Sequence, residues 1–333
     1  GSTRIGMGHL MRCSTLANAW VKAGGGATIA TVDSRKFSEL KSCVDAVNIL
    51  EISAQHPDPS DLYLTNNLIQ QLRPTWTVVD GYHFDSAYQT SVHAISKRLM
   101  LIDDCADLDG YRADLVLNQN IDSHQLTYPK NTVERFLLGP SYSLIDERYE
   151  PWRNKPRAAP QLVENILVTI GGGDPDNQTN KVIDALARIV TPPVNVSVIV
   201  GPFNPHAQSL DRVITQTSRF RSLKKVKNMA ELMSYSDLAV SGGGSTCWEL
   251  AFMGVPTCVI VTAENQRRIA MGLDREGFAK NLGQSEDVTV EAIAKSVTKL
   301  MSNQNLRQSM SDNGRRLVDG FGLQRVLSAM ASS

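Results

Sequence analysis

Short apolar runs rich in β-branched residues alternate with helix-length segments along the chain, and this alternation constrains the fold more than any other feature. Strands separated by helices form parallel sheets whose two faces are covered by those helices. A first series of predicted strands comprises residues 27–32, 47–52, 77–80, 98–104, 114–118 and 135–139. A second series comprises residues 165–173, 194–201, 222–227, 237–244 and 257–262. The sequence therefore predicts an α/β protein with two doubly wound, Rossmann-like domains.

The two series are separated by a stretch rich in charge and proline, DERYEPWRNKPRAAPQ at 146–161, which is typical of a linker. The length of 333 residues suffices for two domains with a core each. We predict an N-terminal domain at 1–148, a linker at 149–161 and a C-terminal domain at 162–333. A glycine-rich turn that opens a helix normally follows a strand, so we expect a strand ahead of the turn with which the sequence begins.

The charge balance and the hydropathy disfavour several classes of protein. The 34 Lys and Arg residues equal the 34 Asp and Glu residues in number, which argues against bulk binding to nucleic acid or to an anionic membrane. No apolar run approaches the ~18 residues that indicate a membrane-spanning helix, and no signal-peptide pattern is visible at the start. We expect a cytoplasmic protein with no membrane insertion and no nucleic-acid partner. The sequence does not determine the oligomeric state, and a monomer is consistent with it.

Cysteine and carboxylate patterns give little support to a metal centre. The cysteines are odd in number, widely scattered and without a C-x-x-C pair: Cys13, Cys43, Cys105, Cys247 and Cys258. This pattern favours single thiols in a reducing cytoplasm over a disulfide scaffold or a zinc site. The segment IDDCADLDG does not fit the calcium-loop template. We expect Asp103 and Asp104 to end a strand and cap a turn.

The segment SGGGSTCWE at 241–249 follows a predicted strand and leads into a predicted helix. Its glycines allow a ligand to approach the backbone closely, and Ser245 or Thr246 is suited to cap the helix. The exposed N–H groups and the positive helix end favour an anion such as a diphosphate. Glu249, within the first turns, is placed to reach ribose hydroxyls. The alternative is a tight turn without a ligand.

Two further loops follow predicted strands. IGGGDPDNQT at 170–179 lacks the Gly-Lys-Ser/Thr ending of a Walker loop and does not fit G-x-G-x-x-G. It indicates either a phosphate or cleft-lining loop, or a plain turn in which Asp174 caps the next helix. In AENQRR at 263–268, Asn265 and Gln266 present amides at the carboxyl end of a strand, where α/β folds bind ligands. The alternative there is an ordinary polar loop.

The opening segment GSTRIGMGHLMRC places a histidine at the start of an apolar-periodic helix. Gly6 and Gly8 favour a sharp turn, and His9 in the first helical turn projects toward the strand ends. The positive helix end disfavours imidazolium, so His9 is expected to be neutral and able to accept a proton. Arg12, three residues on, shares its face. The alternative to a catalytic role for His9 is helix capping.

Several segments in fixed order resemble one enzyme family. They are IGMGHLMRCSTLA, VVDGY, LIDD, LNQN, LLGPSYSLID, VTIGGGDPDNQT and SGGGSTCWELAFMGVPTCVIVTAENQ. Together they resemble the UDP-2,4-diacetamido-2,4,6-trideoxy-β-L-altropyranose hydrolases of pseudaminic acid biosynthesis, from residue 2 to about residue 325. The glycine-rich C-terminal block is shared more broadly, with MurG-type glycosyltransferases. The family has a strand ahead of the first motif, and the sequence starts without it.

The resemblance implies a glycosyltransferase-B fold, in which two Rossmann-like domains face each other across a cleft and UDP sits mainly on the C-terminal domain. It implies His9 as the general base, Glu249 as the ribose-binding acid and Tyr82 as a sugar-side aromatic. The predicted substrate-binding residues are Gly8, Arg12, Tyr82, Gly171, Gly172, Met229, Gly243, Gly244, Ser245, Glu249, Asn265 and Gln266. No cofactor and no metal are implied.

The implied reaction is hydrolysis of a UDP-linked diacetamido sugar by a His-activated water, with inversion at the anomeric carbon and without a metal. Three alternatives stay open. A glycosyltransferase of the same fold would need an acceptor groove, and a non-catalytic UDP-sugar-binding module would retain the glycine loops without needing His9. A UDP-sugar 2-epimerase is a weaker alternative.

Overall fold

The structure is a computed structural model that describes residues 8–32, 47–129, 133–189 and 192–332. These residues divide into two compact units. The first contains the described residues up to Glu147 and those from Phe321 onward, and the second runs from Arg148 to Gly320. Gly6 and Cys43, which the sequence analysis singled out, lie outside the described residues.

In the first unit, the first described element is a helix, α1 (Gly8–Lys22), and the described residues form two parallel sheets. The smaller sheet pairs β1 (Thr28–Thr31) with β2 (Asn48–Glu51). The larger sheet has four parallel strands in chain order: β3 (Thr77–Asp80), β4 (Leu99–Ile102), β5 (Ala113–Asn118) and β6 (Val133–Leu138). Two helices lie between β2 and β4 in the chain: α2 (Pro59–Leu72) and α3 (Ser86–Ile95).

The central strands of this sheet are buried on both faces. Leu99 and Leu101 join one apolar cluster, whereas Met100 and Ile102 join another on the opposite face. Side chains alternate between faces along a strand, so a continuous apolar run such as LMLI fits a sheet covered on both sides. All four residues of β4 are buried.

The described residues of the second unit form six parallel strands: β7 (Asn165–Thr169), β8 (Asn195–Ile199), β9 (Phe220–Leu223), β10 (Leu238–Gly242), β11 (Thr257–Val261) and β12 (Ala279–Gln284). Their order in the sheet is β9-β8-β7-β10-β11-β12. This is the strand order of the doubly wound nucleotide-binding fold, in which the order reverses between the first and fourth strands. Here that reversal lies between β7 and β10, and loops after these two strands emerge side by side.

The helices of the second unit are α4 (Gln178–Ala187), α5 (Ala207–Ile214), α6 (Met229–Ser234), α7 (Thr246–Met253), α8 (Glu264–Arg275), α9 (Val290–Met301) and α10 (Gln304–Leu317). Local sequence explains several of their starts. Asn228, Thr289 and Asn303 each precede a helix and accept a backbone N–H of its first turn through the side chain. Such caps satisfy amides that have no partner within the helix.

The predicted α/β architecture and all eleven predicted strands are confirmed, with ends that shift by a few residues. The largest shift is at β9, which was predicted at 222–227. The sequence analysis missed β12, because its segment AKNLGQ is polar, contains a glycine and has one buried residue. It pairs along the edge of the sheet with β11, and its register shifts after Asn281. Edge strands carry a weaker apolar signal than central strands.

The last helix, α11 (Gly322–Ser332), belongs to the first unit. This differs from the sequence-based division, which placed 162–333 in one domain. The reason is packing: Val326, Ala329 and Met330 complete the apolar cluster that contains Met100 and other strand residues of the larger first-unit sheet. The Trp76 indole N–H also donates to the Met330 carbonyl at 3.0 Å.

The predicted linker at 149–161 packs onto the second unit and so differs from a free connection. Arginine side chains fix it by donating to backbone carbonyls. Arg157 donates to the carbonyl of Ser236, and Arg307 donates to the carbonyls of Pro160 and Gln161. Arg315 donates to the carbonyl of another residue in this stretch at 2.8 Å. Arg157, one of the charges that suggested a linker, therefore serves local packing.

Candidate active site

In the first unit, α1 brings a histidine and an arginine onto one face. His9 and Arg12 are three residues apart in the helix, and each is only 8% exposed. Leu10 and Leu16 are buried on the apolar side of the helix and anchor it. The polar pair is therefore held against the protein.

The partner of both side chains is Asp80, the last residue of β3, whose side chain is 2% exposed. His9 Nδ1 lies 2.6 Å from Asp80 Oδ1. Arg12 donates from Nη2 to Oδ1 at 2.6 Å and from Nε to Oδ2 at 2.7 Å, which is a bidentate ion pair. The Cys13 thiol also donates to Oδ2, at 3.3 Å.

A second carboxylate, Asp104, completes this group of residues from the loop after β4. Arg12 Nη1 lies 2.9 Å from the Asp104 carboxylate, which also accepts hydrogen bonds from the Tyr82 hydroxyl at 2.8 Å and from Asn120 Nδ2 at 2.9 Å. The Tyr82 ring meets the His9 ring edge-on, with centroids 4.7 Å apart, and remains 44% exposed. We call the six residues the His9 cluster: His9, Arg12, Asp80, Tyr82, Asp104 and Asn120.

The cluster lies where the parallel strands β3, β4 and β5 end, which is the edge at which α/β folds bind ligands. Burial alone would raise the pKa of Asp80, but the charge of Arg12 and the hydrogen bonds from Arg12 and His9 outweigh it and hold that pKa well below its usual range. Burial opposes ionisation of Asp104 in the same way, and Arg12 again lowers its pKa. Both carboxylates are therefore ionised at neutral pH.

The two neighbouring aspartates of the LIDD segment have different roles. Asp103 accepts hydrogen bonds from the Ala106 amide and the Tyr128 hydroxyl and caps a turn, as predicted. Burial raises its pKa. The prediction of a capping role was wrong for Asp104, which binds Arg12 instead. The capping alternative for His9 is also wrong, because its Nδ1 binds a side chain of another element.

In the second unit, the glycine loop after β10 lies at the reversal of strand order. A Cβ on Gly242 would meet the Ile170 carbonyl oxygen at 2.3 Å, so the ends of β10 and β7 approach too closely for any other residue. Ser245 precedes α7 and makes no side-chain capping hydrogen bond. The amino end of α7 is thus left to its backbone N–H groups, which favour an anion. Glu249 lies in the first turn of this helix and is half-buried.

Gln266 joins the glycine loop to the neighbouring loop. Its Oε1 accepts hydrogen bonds from the Gly243 amide at 3.0 Å, the Thr262 amide at 3.0 Å and the Thr262 hydroxyl at 3.1 Å. A Cβ on Gly243 would approach Gln266 Cβ to 2.9 Å. The side-chain oxygen of Gln266 is therefore used in the fold, and contact of its amide nitrogen with a ligand stays a prediction. Asn265 beside it is exposed.

The loop after β7 differs from the loop after β10. Asp174, at a positive φ of 48°, accepts the amides of Gln178 at 2.7 Å and Thr179 at 2.9 Å. A carboxylate thus occupies the amino end of α4, so the predicted capping alternative is confirmed for Asp174. Gly171 and Gly172 lie ahead of it, and their contact with a ligand stays a prediction, as does that of Met229 at the start of α6.

Residues 165–320, which carry both glycine loops, match the glycosyltransferase family 28 C-terminal domain. Over its full length the chain is similar to the crystal structure of MurG from Acinetobacter baumannii, with a TM-score of 0.69 and 16% identity, covering 99% of this chain and 98% of MurG. The chain has the glycosyltransferase-B fold. It is also similar to the UDP-GlcNAc 2-epimerase of Neisseria meningitidis bound to UDP-GlcNAc, with a TM-score of 0.63 and 13% identity, covering 98% of this chain and 97% of the epimerase.

Among curated proteins, the chain is 31% identical over 195 residues to the spore coat polysaccharide biosynthesis protein SpsG of Bacillus subtilis. This match covers 58% of the chain and 57% of SpsG. The chain spans about half the length of the curated relatives it matches.

The glycosyltransferase-B fold places the sequence-predicted residues in two groups. The first unit brings together His9, Arg12 and Tyr82, whereas the second brings together the Gly243 loop and Gln266. Asp80 and Asp104 were missed as site residues, although both stand in quoted motifs, VVDGY and LIDD. The available signal was that each is the last residue of a predicted strand, 77–80 or 98–104. Among the described residues, no group of three or more His, Cys, Asp or Glu side chains is arranged so that it could hold a metal ion, and no described helix could cross a membrane.

Proposed function

We propose that this protein is a nucleotide-sugar hydrolase that cleaves UDP from a UDP-linked diacetamido sugar by a water that His9 activates. The observation that carries the proposal is the bond between His9 Nδ1 and the ionised carboxylate of Asp80 at 2.6 Å. Such a bond leaves Nε2 as the proton acceptor of the ring. Among the described residues, none is hydrogen-bonded to Nε2.

Binding of UDP is proposed for the second unit. The support is the family 28 match, the uncapped amino end of α7 and the similarity to an epimerase bound to UDP-GlcNAc. Backbone N–H groups and the dipole of α7 would neutralise the diphosphate, and Glu249 would accept hydrogen bonds from the ribose hydroxyls. Because these groups stabilise the leaving group, we propose a reaction that does not require a metal.

In the proposed reaction, His9 Nε2 takes a proton from water while the water oxygen forms a bond to the anomeric carbon. The bond between that carbon and the diphosphate oxygen breaks, and the electron pair leaves with UDP. The products are UDP and the free sugar with inverted anomeric configuration. The sequence resemblance points to UDP-2,4-diacetamido-2,4,6-trideoxy-β-L-altrose, a precursor of pseudaminic acid, as the substrate. General base catalysis of this kind contributes about 10²- to 10⁴-fold in rate.

The test is a proton NMR time course of the protein with this nucleotide sugar and water alone. The expected result is release of UDP and appearance of the free sugar, first as the inverted anomer. Retention of configuration would contradict direct displacement by water, and an unchanged substrate would contradict the proposal.

A glycosyltransferase is the second candidate, favoured by the match of residues 165–320 to a glycosyltransferase domain. It would leave the nucleotide sugar intact until an acceptor is added. A non-catalytic binding module would bind UDP, and the His9→Asn variant would behave as the wild type. The same time course, run with and without acceptor, separates these outcomes.

A further inference from the structure

We propose that Asp80 is a positioning residue that fixes His9 in the tautomer with its proton on Nδ1, and that Arg12 and Asp104 hold Asp80 in place for this role. The catalytic consequence rests on the proposed function, whereas the tautomer itself does not. No sequence motif of a general base predicts this arrangement, since the histidine and the aspartate are 71 positions apart.

The distance between His9 and Asp80 determines the tautomer. An ionised carboxylate oxygen accepts hydrogen bonds only, so a ring nitrogen 2.6 Å from it must carry the proton. The pKa of Asp80 lies well below its usual range, and this carboxylate has no proton to donate. An unprotonated Nδ1 would place two lone pairs in contact.

The opposite tautomer, with its proton on Nε2 and an unprotonated Nδ1, also has a hydrogen-bond partner in the structure. Arg12 Nη2 lies 3.0 Å from His9 Nδ1 and would donate to that nitrogen if it were unprotonated. Both groups instead converge on one oxygen of Asp80, each at 2.6 Å. Without the carboxylate, the nearest partner of Nδ1 would be a guanidinium, which can only donate. Asp80 therefore decides which ring nitrogen is left to accept a proton.

Arg12 and Asp104 keep the Asp80 carboxylate from moving. Two guanidinium N–H groups hold both oxygens of Asp80, and the third nitrogen of the same guanidinium is held by Asp104. Asp104 is itself fixed by Tyr82 and Asn120. A planar guanidinium with partners on its three nitrogens cannot rotate without breaking buried, charge-assisted hydrogen bonds.

The same arrangement stabilises the state that follows proton transfer. When Nε2 accepts a proton, the imidazolium keeps its Nδ1–H on Asp80, and the carboxylate offsets the new charge. The oxygens of Asp80 already accept from His9, Arg12 and Cys13, so the proton stays on the ring. An aspartate in this role orients the imidazole without becoming protonated itself.

The tautomer is measured by two-dimensional ¹H–¹⁵N NMR of protein labelled with ¹⁵N-histidine. The chain has six histidines, and the spectrum of His9→Asn identifies the signals of His9 by their loss. The spectra are recorded at a pH where the ring carries a single proton, and the expected wild-type result is that this proton lies on Nδ1. A proton on Nε2 in the wild type would overturn the proposal, and this measurement needs no variant of Asp80 to fold.

The variant Asp80→Asn tests whether Asp80 determines the tautomer of His9, and Asp103→Asn is the matched control. The carboxamide of the variant offers one oxygen and one NH2 group to the four donor groups of His9, Arg12 and Cys13. We therefore expect His9 to shift wholly or partly to the proton on Nε2, while the control keeps the wild-type spectrum. An unchanged tautomer in Asp80→Asn would overturn the proposal.

The kinetic readout separates positioning from a structural role. Asp80→Asn is expected to lower kcat by about 10²- to 10⁴-fold with KM and UDP affinity close to wild type. A fall in kcat that goes with a loss of UDP affinity would indicate a structural role and overturn the proposal. If wild-type protein releases no sugar, the proposed function fails, and the tautomer result still stands or falls independently.

Discussion

The side-chain oxygen of Gln266 accepts the amide of Gly243 at 3.0 Å, so the loop after β11 holds the glycine loop after β10. The oxygen therefore has a structural role, and contact of the NH2 group of the same side chain with an anion is a prediction. Substitutions that change either the oxygen or the NH2 group of the Gln266 side chain can separate the effect on stability from the effect on UDP binding.

We expect Gln266→Glu to keep the acceptor and therefore the stability, but to weaken UDP binding because it places a negative charge beside the glycine loop. Gln266→Ala should lower the free energy of unfolding by about 1–3 kcal/mol, since it leaves the Gly243 and Thr262 amides without an acceptor. Urea unfolding and calorimetric titration with UDP measure the two effects. Equal UDP affinity in Gln266→Glu and wild type would show that the amide nitrogen does not face the anion.

His9→Asn and His9→Phe are expected to lower turnover by a factor of about 10² or more while UDP affinity stays nearly intact, because the base is lost and the UDP site is not. His93→Asn, a change of a partly exposed histidine on α3, is the matched control. Turnover is measured as sugar released per enzyme. Near wild-type turnover in both His9 variants would mean that the base lies elsewhere.

Glu249→Ala should weaken UDP binding by about 1–3 kcal/mol through the loss of hydrogen bonds to the ribose. Titration with uridine 5′-diphosphate and with its 2′-deoxy analogue checks the cause, because the variant should no longer distinguish the two nucleotides as well as the wild type does. Unchanged affinity for both would remove Glu249 from the site.

The depressed pKa of Asp104 predicts how stability depends on pH. Because its folded-state pKa lies below the usual aspartate value of about 3.9, ionised Asp104 stabilises the fold above that pH, and this contribution is lost as the pH falls through the folded value. The stability difference between wild type and Asp104→Asn should therefore be largest near neutral pH and shrink below about pH 4.

Urea unfolding at a series of pH values measures this difference. Asp109→Asn, which changes an exposed aspartate in the same loop, is the control. A difference that stays constant down to pH 3 would contradict the ion pair with Arg12.

Gly242→Ala is expected to destabilise the second unit by about 1–3 kcal/mol or more, because its Cβ would collide with a backbone oxygen that has little freedom to move. Gly173→Ala is the matched control, since its nearest atom would be 4.0 Å away. Comparison of the free energies of unfolding tests the close approach of β10 and β7. Equal values for the two variants would contradict it.

The strands could be predicted because buried parallel strands consist of continuous apolar runs, such as LMLI at 99–102. The edge strand β12 and the packing of α11 could not be predicted from the sequence. Both depend on which surfaces of the sheets the other segments leave uncovered. The order of the strands in the second sheet also depends on tertiary contacts that no local pattern encodes.

In the candidate site, too, some residues could be predicted from the sequence and others could not. His9 could be singled out because it stands at a glycine turn and opens a helix. Its partner Asp80 comes from a strand far along the chain, and an aspartate at a strand end serves equally well as a cap, as Asp103 does. The choice between the two roles is made by the position of Arg12, which the sequence does not give.

The return of the last helix to the first unit has a practical consequence for dissecting the protein. A recombinant fragment that stops at residue 147 would lack Val326, Ala329 and Met330, and it would leave part of an apolar cluster uncovered. Such a fragment is expected to aggregate unless the helical segment is supplied in trans or fused after a short artificial loop. The first unit is thus discontinuous in sequence, and its apolar cluster can be completed only after residues 322–332 have been synthesised.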